Sequence, residues 1–317
     1  MRATGIGAAS SRGNLLSIGL FVLMAYGLGW AAFVGFRAAG LPFVVTGNAG
    51  MLAPAIAVLV LVALRRARFS DLGLWPLGRI RWYVAPYVLI PLLIAAGAAL
   101  ELVTRYQHWD VHLDPLQAAG IPVSASTLPM PTSTLLLLLA VSALTEGALV
   151  GLPFTLGEEL GWRGFLAPRL TPLGGTAAAV VTGVIWGLWH LPVIGLSGWG
   201  AVTSLPGYEP TSWYAALFFC LTTVPLSIIY VWLRFRSGSV WPCVLAHAMA
   251  NSGFALLAIL VLSRPGSPLI GGPVGLLGVA PLWLVAVWIV LRGGLRVGTS
   301  TTEANEAGGH RYGVAGA

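Results

Sequence analysis

The chain contains no lysine: all 17 basic residues are arginine. Acids are scarcer, ten in 317 residues, and charged residues of both signs make up 9% of the composition. A soluble domain carries about 25%, so this little charge excludes an ordinary solvated surface. Cysteine is almost absent as well. Cys220 and Cys243 both lie in apolar runs, which excludes a disulfide scaffold or zinc ribbon and leaves them as buried small hydrophobes. The net charge of +7 does not gather into a basic stripe. The arginines stand at the ends of apolar runs instead, which argues against nucleic acid as a partner. No internal repeat and no second domain can be read.

What is abundant is apolar sequence, 57% hydrophobic with mean hydropathy +0.86. A membrane span needs about 20 mainly apolar residues. Eight runs qualify: Leu15–Phe36, Ala49–Leu64, Trp82–Val103, Thr134–Leu152, Thr176–Leu196, Trp213–Leu233, Val240–Leu262 and Val274–Leu291. The expected fold class is all-α, a polytopic transmembrane helix bundle of about eight spans with the lipid bilayer as its solvent. The first run exceeds the 7–15 residues or so of a signal-peptide core and reads as a retained anchor. Residues 1–14 form a short leading segment, 15–296 the membrane domain, and 297–317 a polar, Gly-rich tail expected to be disordered. The segment 104–133, with Tyr106-Gln107-His108-Trp109-Asp110, is expected to cap the bundle at an interface.

Arginine placement sets the expected orientation. With the N-terminus in the cytoplasm, fourteen arginines fall in inside segments and three (Arg37, Arg105 and Arg264) outside. Both termini are therefore expected on the cytoplasmic side of the cell (plasma) membrane.

Charge inside a bilayer is costly and marks function by default. The densest group is Gly157-Glu158-Glu159-Leu160-Gly161-Trp162-Arg163-Gly164. On a helix, residues four apart share a face. Glu159 then pairs with Arg163, and Glu158 lies beside Trp162, without a local charge partner and free for chemistry. Two further helical pairs follow: Trp186 with His190, and His247 with Asn251. Gly183 and Gly187 make a small-xxx-small stripe that lets another helix approach. Glutamate can deprotonate a water, one histidine can orient it, and the second histidine with the asparagine can hold an oxyanion.

These three ordered motifs resemble the signature of the CAAX prenyl protease and bacteriocin-processing (CPBP, or Abi) family of intramembrane endopeptidases, over about Gly157 to Asn251. The resemblance implies that Glu158 and His190 activate the water, that Glu159 and Arg163 support the site, and that His247 and Asn251 serve the oxyanion. It also implies an eight-helix-type bundle with a cavity open towards the cytoplasm, and a peptide or membrane-protein substrate. The family usually shows Phe where Trp186 stands, a swap expected to touch packing and not chemistry.

Members of the family are commonly called metalloproteases. Glu158, His190 and His247 are a set that could hold Zn²⁺ and leave a place for water. There is no His-Glu-x-x-His helix, and Asn251 is a poor zinc ligand, so a metal-free water with no required cofactor is the favoured expectation.

Two readings compete from other classes. Glu101 and Glu146 could serve a proton-coupled transporter, though the repeat symmetry many transporters show is missing. A non-catalytic scaffold could keep the same polar residues. Gly195-Leu196-Ser197-Gly198 matches the rhomboid Gly-x-Ser-Gly, but here the serine is expected to follow a helix, where in rhomboids it starts one.

One difficulty is visible in the sequence. His190 lies about 21 Å along its span at 1.5 Å per residue, whereas Glu158 falls just past its own span, near the inner surface. Either the fifth span starts later than Thr176, or the Glu158 helix dips into the membrane after a break at Pro153.

Overall fold

The computed structural model describes residues 4–41, 43–106, 130–197, 213–260, 270–272 and 274–295. The expected interfacial cap and the polar tail fall largely or wholly outside them. Among the described residues all regular structure is helical. In chain order the elements are α1 (Thr4–Ala38), α2 (Phe43–Met51), α3 (Ala53–Ala63), α4 (Arg81–Val103), α5 (Ser133–Arg169), α6 (Gly175–Trp189), α7 (Leu191–Ser197), α8 (Trp213–Ser237), α9 (Trp241–Leu260) and α10 (Leu276–Leu291).

Among the described residues, six helices are long and apolar enough to cross a bilayer: α1, α2 with α3, α4, α5, α6 continued into α7, and α8. α10 is shorter, and α9 carries the polar His247–Asn251 face. The chain is an integral membrane bundle. Large apolar side chains such as Leu23, Leu92, Leu149 and Leu284 point outward, as lipid contact requires.

Packing follows small residues. The Gly183–Gly187 stripe of α6 meets α8 as expected. A Cβ on Gly187 would come within 2.7 Å of Thr223 Oγ1 and Cys220 Sγ, and one on Gly183 within 2.8 Å of the Val224 backbone. Thr223 donates to the Gly183 carbonyl (2.9 Å) and Ser227 to Ala179 (2.8 Å), so hydroxyls bond across the same close contact. α9 runs through the middle of the bundle, against α4, α5 and α8.

One end of the bundle is tied together by polar contacts. Asn14 donates to the Arg169 carbonyl, Arg169 to the Arg66 carbonyl, and Arg234 to the Asp71 carbonyl. The segment after α3 folds over this end. Its one 3₁₀ turn, Phe69–Leu72, leads to Leu74, whose carbonyl accepts from the Trp241 indole. Arg65, Arg66, Arg68, Arg79 and Arg81 are exposed here, beside Arg236 and Arg292.

The depth difficulty resolves in a way the hydropathy pattern hides. α6 starts at Gly175, no later than expected, and the helix does not break at Pro153. α5 continues to Arg169 through 37 residues, far beyond the expected end at Leu152. Glu158 is thereby about 15 Å from the arginine end, inside the bundle. Arg163, first assigned to a cytoplasmic segment, is fully buried and is no guide to topology. The remaining bias stands without it.

Candidate active site

The sequence expectation gave Glu159 to Arg163 and left Glu158 unpartnered. The first half holds: Arg163 Nη1 donates to Glu159 Oε1 at 2.7 Å, with both side chains fully buried. The second half needs correction. Glu158 Oε2 accepts two indole N–H bonds, from Trp162 at 3.0 Å and from Trp186 at 2.6 Å. The carboxylate lacks a charge partner but is gripped by two rigid donors, one four residues along its own helix and one from α6.

Glu159 does more than neutralise an arginine. The same Oε1 is 2.9 Å from Nδ1 of His247, so the carboxylate ties α5 to α9 and fixes one histidine ring. Thr155 adds a bond to the Val244 carbonyl at 3.2 Å. Arg163 is flanked by aromatic faces, its guanidinium carbon 4.4 Å from the Trp186 ring centre and 4.8 Å from that of Tyr230. Among the described residues its Nε and Nη2 have no hydrogen-bond partner, and the ring faces and Glu159 are the compensation they supply.

Trp186 therefore has two jobs. Its face covers Arg163, its N–H holds Glu158, and its ring meets that of His247 edge-on at 5.1 Å. Trp in place of Phe therefore adds more than ring volume: it brings to Glu158 an N–H that Phe lacks.

The local backbone is unusual. α5 is α-helical over Ala148–Glu159 and π-helical over Leu160–Leu166. π segments cluster at functional sites. Gly157 and Gly161 let the N-terminal helices press on this segment. A Cβ on Gly157 would stand 2.7 Å from the Met51 carbonyl, and one on Gly161 2.4 Å from Pro54 Cβ.

Above the two glutamates lies a cavity of about 310 Å³ lined by Glu158, Trp186, His190, His247 and Asn251. These expected site residues, from α5, α6 and α9, thus share one cavity, with Glu159 and Arg163 packed behind them. His190 caps the end of α6, its Nδ1 2.9 Å from the Trp186 carbonyl. Nδ1 then carries the proton and Nε2 is an acceptor. Asn251 is exposed to the cavity. The far wall comes from α1 and α2, with Trp30, Phe33, Thr46 and Asn48. Sequence reasoning missed this wall, since nothing in those apolar runs announces it.

If a metal were bound here, Glu158 with His190 and His247 would be the residues to hold it, as a water-activating Lewis acid site. Among the described residues no three His, Cys, Asp or Glu side chains gather closely enough to hold an ion. Glu158 Oε2, His190 Nδ1 and His247 Nδ1 are bonded to protein partners, which orients each group and leaves its other oxygen or Nε2 for the cavity. No step below runs through a metal. Ser197 is the last residue of α7, so the serine of the rhomboid-like match stands at the end of a helix. Glu101 is buried at the end of α4, away from the residues that line the cavity.

Two glutamates, two histidines and an asparagine thus gather at or just behind one cavity of a membrane bundle. Residues 132–253 match the family described as type II CAAX prenyl endopeptidase Rce1-like. A relative named CAAX prenyl protease 2, from Methanococcus maripaludis, is 26% identical over 212 residues, covering 59% of this chain and 74% of its own length. Over residues 132–253, which hold Glu158, Glu159, Arg163, Trp186, His190, His247 and Asn251, the chain is thus similar to the CAAX prenyl endopeptidases.

Proposed function

We propose that the chain is an endopeptidase that hydrolyses a peptide bond within the membrane, using water activated by Glu158 and His190. The observation that carries this reading is the Glu158 carboxylate, held on one oxygen by two indoles and facing a cavity shared with His190, His247 and Asn251.

Each group has the protonation its neighbours dictate. His190, protonated on Nδ1 toward the Trp186 carbonyl, offers Nε2 as an acceptor and orients a water. Glu158 takes the proton from that water as it attacks the scissile carbonyl, and returns it to the departing amine. His247 donates Nδ1–H to Glu159. In the proposed step it donates from Nε2 as well. With the Asn251 amide it then faces the oxyanion of the tetrahedral intermediate. Glu159, shared between Arg163 and His247, positions and acts through them.

The substrate is a peptide or membrane protein. The name of the archaeal relative suggests a C-terminal prenylated tail as one candidate among such chains. The test compares protein termini by mass spectrometry in membranes from cells making wild type or Glu158→Gln, with and without a strong chelator. New termini made by wild type alone, with chelator or without, are expected. Identical termini in both strains, with both proteins folded, would falsify the reading. Termini lost only with chelator would return a metal to the site.

A further inference from the structure

We propose that α1 is a positioning element of the site: Tyr26 and Trp30 hold the end of α6 on which His190 stands. The proposal rests on the protease reading in taking His190 as the group that orients the water.

α6 is least secure where that histidine sits. The helix ends at Trp189, His190 caps it, and α7 starts afresh at Leu191. Pro192 has no N–H with which to close the next turn onto the Leu188 carbonyl. The last carbonyls of a helix take their donors from outside it. Here the Trp186 carbonyl accepts from Nδ1 of His190 at 2.9 Å, and α1 brings two more donors. The Trp30 indole donates to the Trp189 carbonyl at 2.9 Å, and the Tyr26 hydroxyl donates to the Ile185 carbonyl. In return the Trp189 indole donates to the Ala25 carbonyl of α1 at 3.0 Å. Bonds in both directions thus join residues 25–30 of α1 to residues 185–189 of α6.

The contact is close by construction. A Cβ on Gly29 would stand 2.6 Å from Trp189 Nε1, so glycine is what lets α1 reach this indole. Trp189 in turn meets the His190 ring edge-on, with centres 5.0 Å apart. The grip of α1 therefore reaches the imidazole by two routes: through the backbone that carries it and through the indole that packs on it. Orienting a water for attack needs Nε2 held to a fraction of an ångström, and a helix broken at that residue does not supply this alone. α1 also lies outside residues 132–253, the stretch that matches the endopeptidase family, so the helix that steadies His190 is drawn from beyond it.

The test uses the full-length protein with isotope-labelled histidine, read by nitrogen NMR, with His190→Gln to assign the His190 signals. The main variant is Tyr26→Phe with Trp30→Phe. Tyr26→Phe alone is the milder one, and Tyr26 does not line the cavity, so its effect is not lost substrate contact. Ser227→Ala is the control, since Ser227 donates a similar bond to α6 at the Ala179 carbonyl, about three turns before His190. Turnover is followed on a peptide spanning a terminus that wild type makes and Glu158→Gln does not. In the main variant the His190 signals are expected to move from the Nδ1–H tautomer towards a mixture of both, with kcat down about tenfold and KM little changed. Tyr26→Phe should show the same at smaller size. Ser227→Ala should lower the melting temperature and leave kcat and the His190 signals as in wild type. Unmoved His190 signals in both α1 variants overturn the proposal. So does a wild-type kcat in both, or an equal loss of kcat in Ser227→Ala. If no such terminus exists the protease reading falls, and the imidazole signals still decide whether α1 holds the ring.

Discussion

Glu158 and Glu159 are adjacent in sequence, equally buried, and held in opposite ways. Around Glu159 charge answers charge: an arginine and a histidine converge on one oxygen in a sealed layer. Around Glu158 there is no opposite charge in contact, only two neutral indole donors and an open cavity. The first arrangement locks helices together, since removing one member leaves a buried charge alone. The second holds a carboxylate still at the edge of the cavity. On the proposed function, neighbouring glutamates on one helix are divided into a brace and a reactive group by the kind of donor each meets.

The comparison breaks most completely at Glu158. Glu158→Gln keeps the shape and both indole contacts but removes the base. We expect turnover to fall at least about 10³-fold, within the range for a positioned general base, with thermal stability nearly unchanged; peptide cleavage and a melting curve on the same preparation check both. Arg163→Ala acts on the brace. It strands Glu159 and opens a void beside Trp186 and Tyr230, so a loss of roughly 3–5 kcal/mol is expected, together with activity, because His247 loses its anchor's geometry. Unfolding in denaturant measures the first part. Arg163→Met with Glu159→Gln should recover much of the stability and little of the activity.

Trp186→Phe sharpens the contrast, because it keeps a ring over Arg163 and removes the N–H on Glu158. A hydrogen bond to a charged group is worth about 1.5–3 kcal/mol, so activity should drop roughly 10–100-fold, and a value equal to wild type removes the indole from the mechanism. Trp162→Phe, with the longer bond, should cost less. The smallest effect is expected at Thr155→Val, which deletes one interhelical bond on the brace side at about 0.6 kcal/mol and should leave turnover alone.

Much of this was legible in the residues. Apolar runs located the spans, the four-residue spacing located the Glu159–Arg163 and Glu158–Trp162 pairs, and the Gly183–Gly187 stripe located the α6–α8 contact. α5 was misread at its end because hydropathy stops at charge, and here the charges compensate one another and let the helix go on to Arg169. The His247–Glu159 bond and the Trp186–Glu158 bond were invisible for another reason. They join distant segments, and only the packing decides which of several polar groups meet. The tryptophan standing where the family shows phenylalanine was the available hint, and it was read as volume when the difference that mattered was a donor.

The π-helical stretch Leu160–Leu166 has one more consequence. A π turn contains one residue more than an α turn closed over the same rise, which makes it the mark of an insertion inside a helix. Deleting a single residue there would let the backbone relax into an ordinary α-helix, but everything beyond would swing by about 100°. Arg169 would leave the end it bonds, or Glu158 would leave its indoles. The site is therefore fixed by residue number as well as residue type. A deletion scan should meet a sharp boundary along these seven residues that a substitution scan would pass without noticing.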